Sequence, residues 1–102
     1  MAQPPRNALP QFALREEESF RQDRLALVAS GMTEPEIDEH VRAMEFAILP
    51  DPYAAPWSQP LPDDPGRRHA VSDPTPAEPN GLVAVFSVDG EFIAWERLSR
   101  RP

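Results

Sequence analysis

Residues 82–98 read LVAVFSVDGEFIAWERL, from Leu82 to Leu98. Two runs rich in β-branched and aromatic residues flank Asp89-Gly90, a dipeptide that suits a two-residue type I′ turn because both central residues need positive φ. The spacing predicts an antiparallel β-hairpin over 81–99, with Val88 opposite Glu91, Phe86 opposite Ile93 and Ala84 opposite Trp95. Leu82, Ala84, Phe86, Val88, Ile93 and Trp95 then share one face, and Val83, Val85, Phe92 and Ala94 the other. Both faces are largely apolar, whereas a half-exposed antiparallel sheet alternates apolar with polar. An isolated hairpin is marginal in water, so each face needs a cover.

The preceding stretch, residues 50–80, holds Pro50, Pro52, Pro56, Pro60, Pro62, Pro65, Pro74, Pro76 and Pro79, nine of the chain's 14 prolines. Proline removes a backbone donor and pushes its predecessor out of the helical region. An extended strap of polyproline II and turns is the expectation, punctuated by Tyr53, Trp57, Leu61 and Val71. Such a strap is long enough to lie along a neighbouring surface.

Residues 11–49 predict a helical hairpin with helices at about 11–30 and 33–49. Ile37, Val41, Met44 and Ile48 form an apolar stripe at helical spacing. Thr33 with Glu36 three residues on reads as a capping box, and Pro35 is tolerated in the first turn. Gly31 suits the left-handed position that closes the first helix. Residues 1–10, with Pro4, Pro5 and Pro10, read as an extended arm, and 100–102 as a basic tail. The fold class expected is α+β: an N-terminal helical hairpin, a long proline-rich extended segment and a C-terminal antiparallel β-hairpin.

A chain of 102 residues with formal net charge -7 corresponds to one small acidic domain. Electrostatics supplies most non-specific affinity for phosphate, so nucleic acid and anionic membrane are both disfavoured partners. All ten basic residues are arginine, a pattern of GC-rich coding genomes. The absence of cysteine excludes disulfides and thiolate chemistry. No stretch approaches the roughly twenty apolar residues of a membrane span. A cytoplasmic protein is expected, or a virion protein if phage-encoded.

His40 stands near Glu36, Asp38 and Glu39, but His69 is the one other histidine and lies far along the chain, so a solvated acidic helix face is expected and no metal site. The spacing of residues 30–49 resembles a helix–turn–helix, yet the second helix is too acidic to approach DNA. Arg67-Arg68-His69 and Arg97, Arg100 and Arg101 form two local basic clusters. No phosphate loop or nucleophile elbow occurs, so no catalytic residue, cofactor or enzymatic activity is expected. The doubly apolar hairpin and the aromatic strap point instead to a non-catalytic accessory protein that clasps a larger protein assembly or a second copy of itself, such as a phage virion component or a small subunit of a bacterial complex. Its partner-binding residues would be Tyr53, Trp57, Leu61, Val83, Val85, Phe86, Phe92, Ile93 and Trp95. Alternatives are a small acidic regulator or inhibitor, of antitoxin or anti-defence type, that masks a basic surface, and a self-contained monomeric α+β domain.

Overall fold

The computed structural model describes residues 12–102 apart from positions 55 and 77. The elements in chain order are β1 (Ala13–Glu16), α1 (Glu18–Ala29), α2 (Glu34–Ile48), β2 (Gln59–Leu61), β3 (Asp64–Val71), β4 (Leu82–Asp89) and β5 (Phe92–Arg100). The strands form one mixed sheet in the order β1-β5-β4-β3-β2. β1 runs parallel to β5 and the other pairings are antiparallel. The arm expected over 1–10 lies outside the described residues.

This architecture corrects the expected one. The chain is α+β, but its β layer is a five-stranded sheet and not a free C-terminal hairpin. The strap supplies two of those strands. Residues 66–71 contain no proline, so β3 can ladder to β4 from Arg68 opposite Phe86 to Val71 opposite Val83. Pro60 sits in the edge strand β2, where a missing donor costs no ladder bond. The helices do not form a self-contained hairpin either: α1 packs chiefly against β5.

The β4–β5 register also differs from expectation. Asp89 pairs with Phe92, Val88 with Ile93 and Phe86 with Trp95, so Gly90-Glu91 forms the connection. Gly90 has φ +59, and no described non-glycine residue has positive φ, which suits a turn with glycine at its first central position rather than a type I′ turn. The shift moves both strands together, so the sets of residues sharing a face survive it. A bulge at Glu96 then places Arg97 opposite Val85 and keeps Leu98 on the core side.

One hydrophobic core lies between the helices and one sheet face. Phe20 and Leu27 of α1, Ile37, Val41, Met44 and Ile48 of α2, and Met32 between them meet Ala70, Leu82, Ala84, Phe86, Ile93, Trp95 and Leu98. Trp95 is fully buried, stacked on Phe20 at 5.8 Å between centroids and meeting Phe86 edge-on at 5.5 Å. Its indole Nε1 lies beside the Glu45 carboxylate, close enough to favour the anion, without reaching hydrogen-bond geometry. Thr33 caps α2 by accepting from the Glu36 amide at 3.3 Å, and its hydroxyl donates to the Glu36 carboxylate at 2.8 Å.

The long edge of β5 is satisfied by two elements in succession. β1 covers Phe92 to Trp95, after which Glu17 donates its amide to the Trp95 carbonyl at 2.9 Å. From there α1 takes over with side chains: the Ser19 hydroxyl donates to the Glu96 carbonyl and Asp23 accepts the Leu98 amide at 2.8 Å. Ser19 and Asp23 are four apart and so project from one helix face.

Candidate functional site

The helices cover one face of the sheet, and among the described residues no helix covers the other. Strand alternation assigns its occupants. Ala70 and Ala84 point into the core, so His69 and Val71 of β3 and Val83, Val85 and Ser87 of β4 point outward, joined by Phe92 and Ala94 of β5. Its centre is apolar and half-buried, with Phe92 41% exposed at one side.

A polar network borders this centre. Arg67 Nε donates to Glu96 Oε1 at 2.6 Å, its Nη1 donates to Asp64, and the Ser87 hydroxyl donates to Glu96 Oε2. Burial pushes the Glu96 carboxyl up, but the Ser87 hydroxyl and Arg67 outweigh it and hold the group below the ordinary carboxylate range. Arg67, flanked by Glu96 and Asp64, is held more firmly protonated than a free arginine. His69 stands two residues along β3 from Arg67, a separation of about 7 Å in an extended strand. It pairs across the ladders with Gln59 on one side and Val85 on the other and is half-exposed. At the far edge Arg15 lies over the Phe92 ring at 5.2 Å. The face thus combines an imidazole, an ionised carboxylate and arginines around an apolar floor.

His40 has a different role from the solvated one expected of it. It is 2% exposed, with Nδ1 2.7 Å from the Ser72 hydroxyl and Nε2 3.1 Å from the Thr75 hydroxyl. Each hydroxyl also accepts a backbone amide, Ser72 from Leu82 at 2.8 Å and Thr75 from Glu78 at 3.1 Å. The imidazole therefore locks the β3–β4 connection to α2. Its position is readable in the sequence, since residue 40 lies three after Ile37 and four before Met44, on the apolar stripe itself.

The residues expected to bind a partner divide into two sets. Phe86, Ile93 and Trp95 are fully buried in the core. Val83 and Val85 line the uncovered face, Phe92 flanks it and Leu61 is half-buried in β2. Tyr53 and Trp57 are 57% and 54% exposed on the α2–β2 connection. Sequence reasoning singled out Arg67 and His69 as a basic cluster only; their neighbours Glu96 and Ser87 come from β5 and β4, and no local pattern links them.

The layers differ in charge. α1 and α2 carry seven carboxylates against three arginines, while the five strands carry five arginines against four carboxylates. The net negative charge of the chain is therefore carried by the helices and by the segments between elements, and not by the strands.

Two helices on one face of a five-stranded mixed sheet define a fold shared with known proteins. HP0894 from Helicobacter pylori, a conserved hypothetical protein, superposes with a TM-score of 0.59 at 16% identity, over 89% of this chain and 96% of that one. YafQ from Escherichia coli, in a histidine-to-glutamine variant, superposes with a TM-score of 0.56 at 15% identity, over 89% and 94%. HP0892 from Helicobacter pylori gives 0.55 at 17% identity, over 89% and 96%. No protein-family model matches the chain, and no curated protein matches it. The shared sheet overturns the accessory-clasp reading, which rested on a free hairpin and an extended strap.

Proposed function

We propose that this chain is a ribonuclease-type toxin of the class to which YafQ belongs, acting on RNA at the uncovered sheet face. The observation that carries the reading is the fold shared with YafQ, a ribonuclease toxin of toxin–antitoxin systems, over nearly the full length of both chains. The expectations of a virion or accessory protein and of a chain without enzymatic activity are withdrawn on that ground. A toxin of this class works with a protein partner, an antitoxin.

The chemistry asked of the face is transfer of a phosphate from a 5′ oxygen to the neighbouring 2′ oxygen. The 2′ hydroxyl loses its proton as it attacks phosphorus, and the departing 5′ oxygen gains one. His69 is the imidazole of the face, with ring nitrogens able to accept the 2′ proton and to donate one to the 5′ oxygen. Glu96 stays ionised and orients Arg67, whose guanidinium offers donors to the phosphate oxygens where negative charge accumulates. The outward apolar floor of Val83, Val85 and Phe92 gives the sugar and base a dry surface to lie on.

The test is cleavage of a 5′-labelled single-stranded RNA by purified protein, alone and with ribosomes. His69→Gln is expected to lower the rate by roughly a hundredfold or more. No cleavage under either condition by a folded preparation sinks the reading.

A further inference from the structure

In the α2–β2 connection two large aromatic side chains stand out in solvent, and the backbone at Tyr53 and Ser58 is held by hydrogen bonds. Arg68 Nη2 donates to the Tyr53 carbonyl at 3.2 Å and to the Ser58 carbonyl at 3.1 Å, while its Nε donates to the Ser58 hydroxyl. Tyr53 donates its amide to the Asp51 side chain at 3.0 Å, and Ser58 donates its own to the Ala54 carbonyl at 3.1 Å. Pro52 and Ser58 are fully buried on either side. Yet Tyr53 and Trp57 remain more than half exposed, whereas Trp95, the other tryptophan, is wholly enclosed.

A loop pinned at three points that still presents its rings to water is built for contact and not for its own burial. The Arg68 guanidinium lies 5.5 Å from the centre of the Tyr53 ring, a cation–π arrangement that orders the ring and lends it positive character. From residue 52 to residue 62 the sequence carries no charged side chain, so this part of an acidic molecule does not repel phosphate. The loop leads directly into Gln59, the ladder partner of His69. On the neighbouring strand Arg68 projects to the helix side with Ala70, and Arg67 and His69 project to the uncovered face, so the loop stands at the sheet edge between the two sides.

We propose that Tyr53 and Trp57 form a stacking platform for unpaired bases, a subsite that takes single-stranded RNA at the β2 edge of the sheet, next to the strand that carries His69. The proposal rests on the ribonuclease reading for the identity of its ligand. Every base has a π face, so stacking holds a strand with little sequence preference and with few cations. That is the form of recognition open to a protein of net charge -7. A paired base buries its faces against its neighbours in the helix, so a duplex would not engage the rings.

The experiment is a fluorescence and anisotropy titration of the whole chain with a twelve-residue oligoadenylate and with the same strand in a duplex. Trp57 is accessible and Trp95 is not, so iodide quenching separates their emission. The expected result is saturable loss of the Trp57 signal with the single strand and none with the duplex. Trp57→Ala and Tyr53→Ala are each expected to weaken binding of the labelled single strand by roughly five- to a hundredfold. Both rings are exposed, and unchanged melting temperatures establish that the variants fold. Cleavage by the parent protein with undiminished binding by both variants overturns the platform and leaves the ribonuclease reading standing. Stacking without cleavage supports the platform and removes that reading. Equal quenching by the duplex, or quenching by a protein partner and not by the oligonucleotide, overturns the proposal.

Discussion

Asp23 and Glu45 are both partly sheltered carboxylates on the helices, and their surroundings push them in opposite directions. For Asp23 burial acts to raise the carboxyl, but two bonds from the Arg97 guanidinium at 2.9 and 3.1 Å and the Leu98 amide outweigh it, and the group lies below its ordinary value. A depressed native value means that its contribution to stability is present above the unfolded carboxylate range and is lost as pH falls through the native one. Asp23→Ala removes these bonds and orphans the Leu98 amide, so a loss of about 2–3 kcal/mol at pH 7 is expected from urea denaturation, shrinking in acid. For Glu45 burial dominates, and the neighbouring Glu16 carboxylate adds to it against the weaker pull of the Trp95 indole and Arg42, so the carboxyl lies above its ordinary value. The native state then holds its proton longer than the unfolded one, and stability falls as pH rises through that raised value. Glu45→Gln is therefore expected to melt higher than the parent at pH 7, with the two converging near pH 4. A variant that melts lower at both pH values would show the ionised carboxylate to be structural.

Glycines mark where elements turn, and the structure separates two kinds. Gly31 and Gly90, with φ +113 and +59, have open space where a side chain would project. Gly81 has φ +75, and a Cβ there would stand 2.4 Å from the Ser72 carbonyl oxygen, at the point where β4 starts against the end of β3. Alanine at 31 or 90 is expected to cost about 1–2 kcal/mol, the penalty of a left-handed residue. Gly81→Ala adds a backbone clash to that penalty and is expected to exceed both in the same denaturation assay. Comparable losses at all three positions would mean that the β3–β4 junction relaxes freely. Local signals read well in the sequence: the Thr33 cap, the apolar stripe of α2 and the two β-rich runs all rest on neighbouring residues. Ala13–Glu16 was expected to be helical because alanine, leucine, arginine and glutamate are strong helix formers. They form β1 instead, since β5 offers an unfilled edge far along the chain, and tertiary pairing outweighs propensity. β3 was hidden by the prolines on both sides of it.

Net charge weighs against nucleic acid as a partner, but it is an average over the chain, and folding separates the charges that it sums. The helices and connecting segments carry the excess of carboxylates, and the sheet is left close to neutral with Arg15, Arg67, Arg97 and Arg100 in ion pairs. Arg67, Glu96, Ser87 and His69 come from three strands, so the grouping on the uncovered face has no signature until β3, β4 and β5 are laid side by side. Tyr53 and Trp57 are visible in the sequence as aromatics out of place among prolines, although the contacts of Arg68 with Tyr53 and Ser58 are not. The division of charge has a consequence for binding. On the uncovered face Arg15 and Arg67 flank the apolar centre, while Arg97 is taken up by its contact with Asp23. Neutralising two phosphates of a single strand releases few counterions, so the logarithm of the binding constant should fall against the logarithm of salt with a slope of only about −1.4. Most of the affinity must then come from stacking and apolar contact, which salt leaves largely intact. Anisotropy titrations between 50 and 200 mM salt, values that span the range where phosphate contacts reveal themselves, measure that slope directly. A value of about −4 or steeper would place the RNA on a more basic surface than the one His69 occupies.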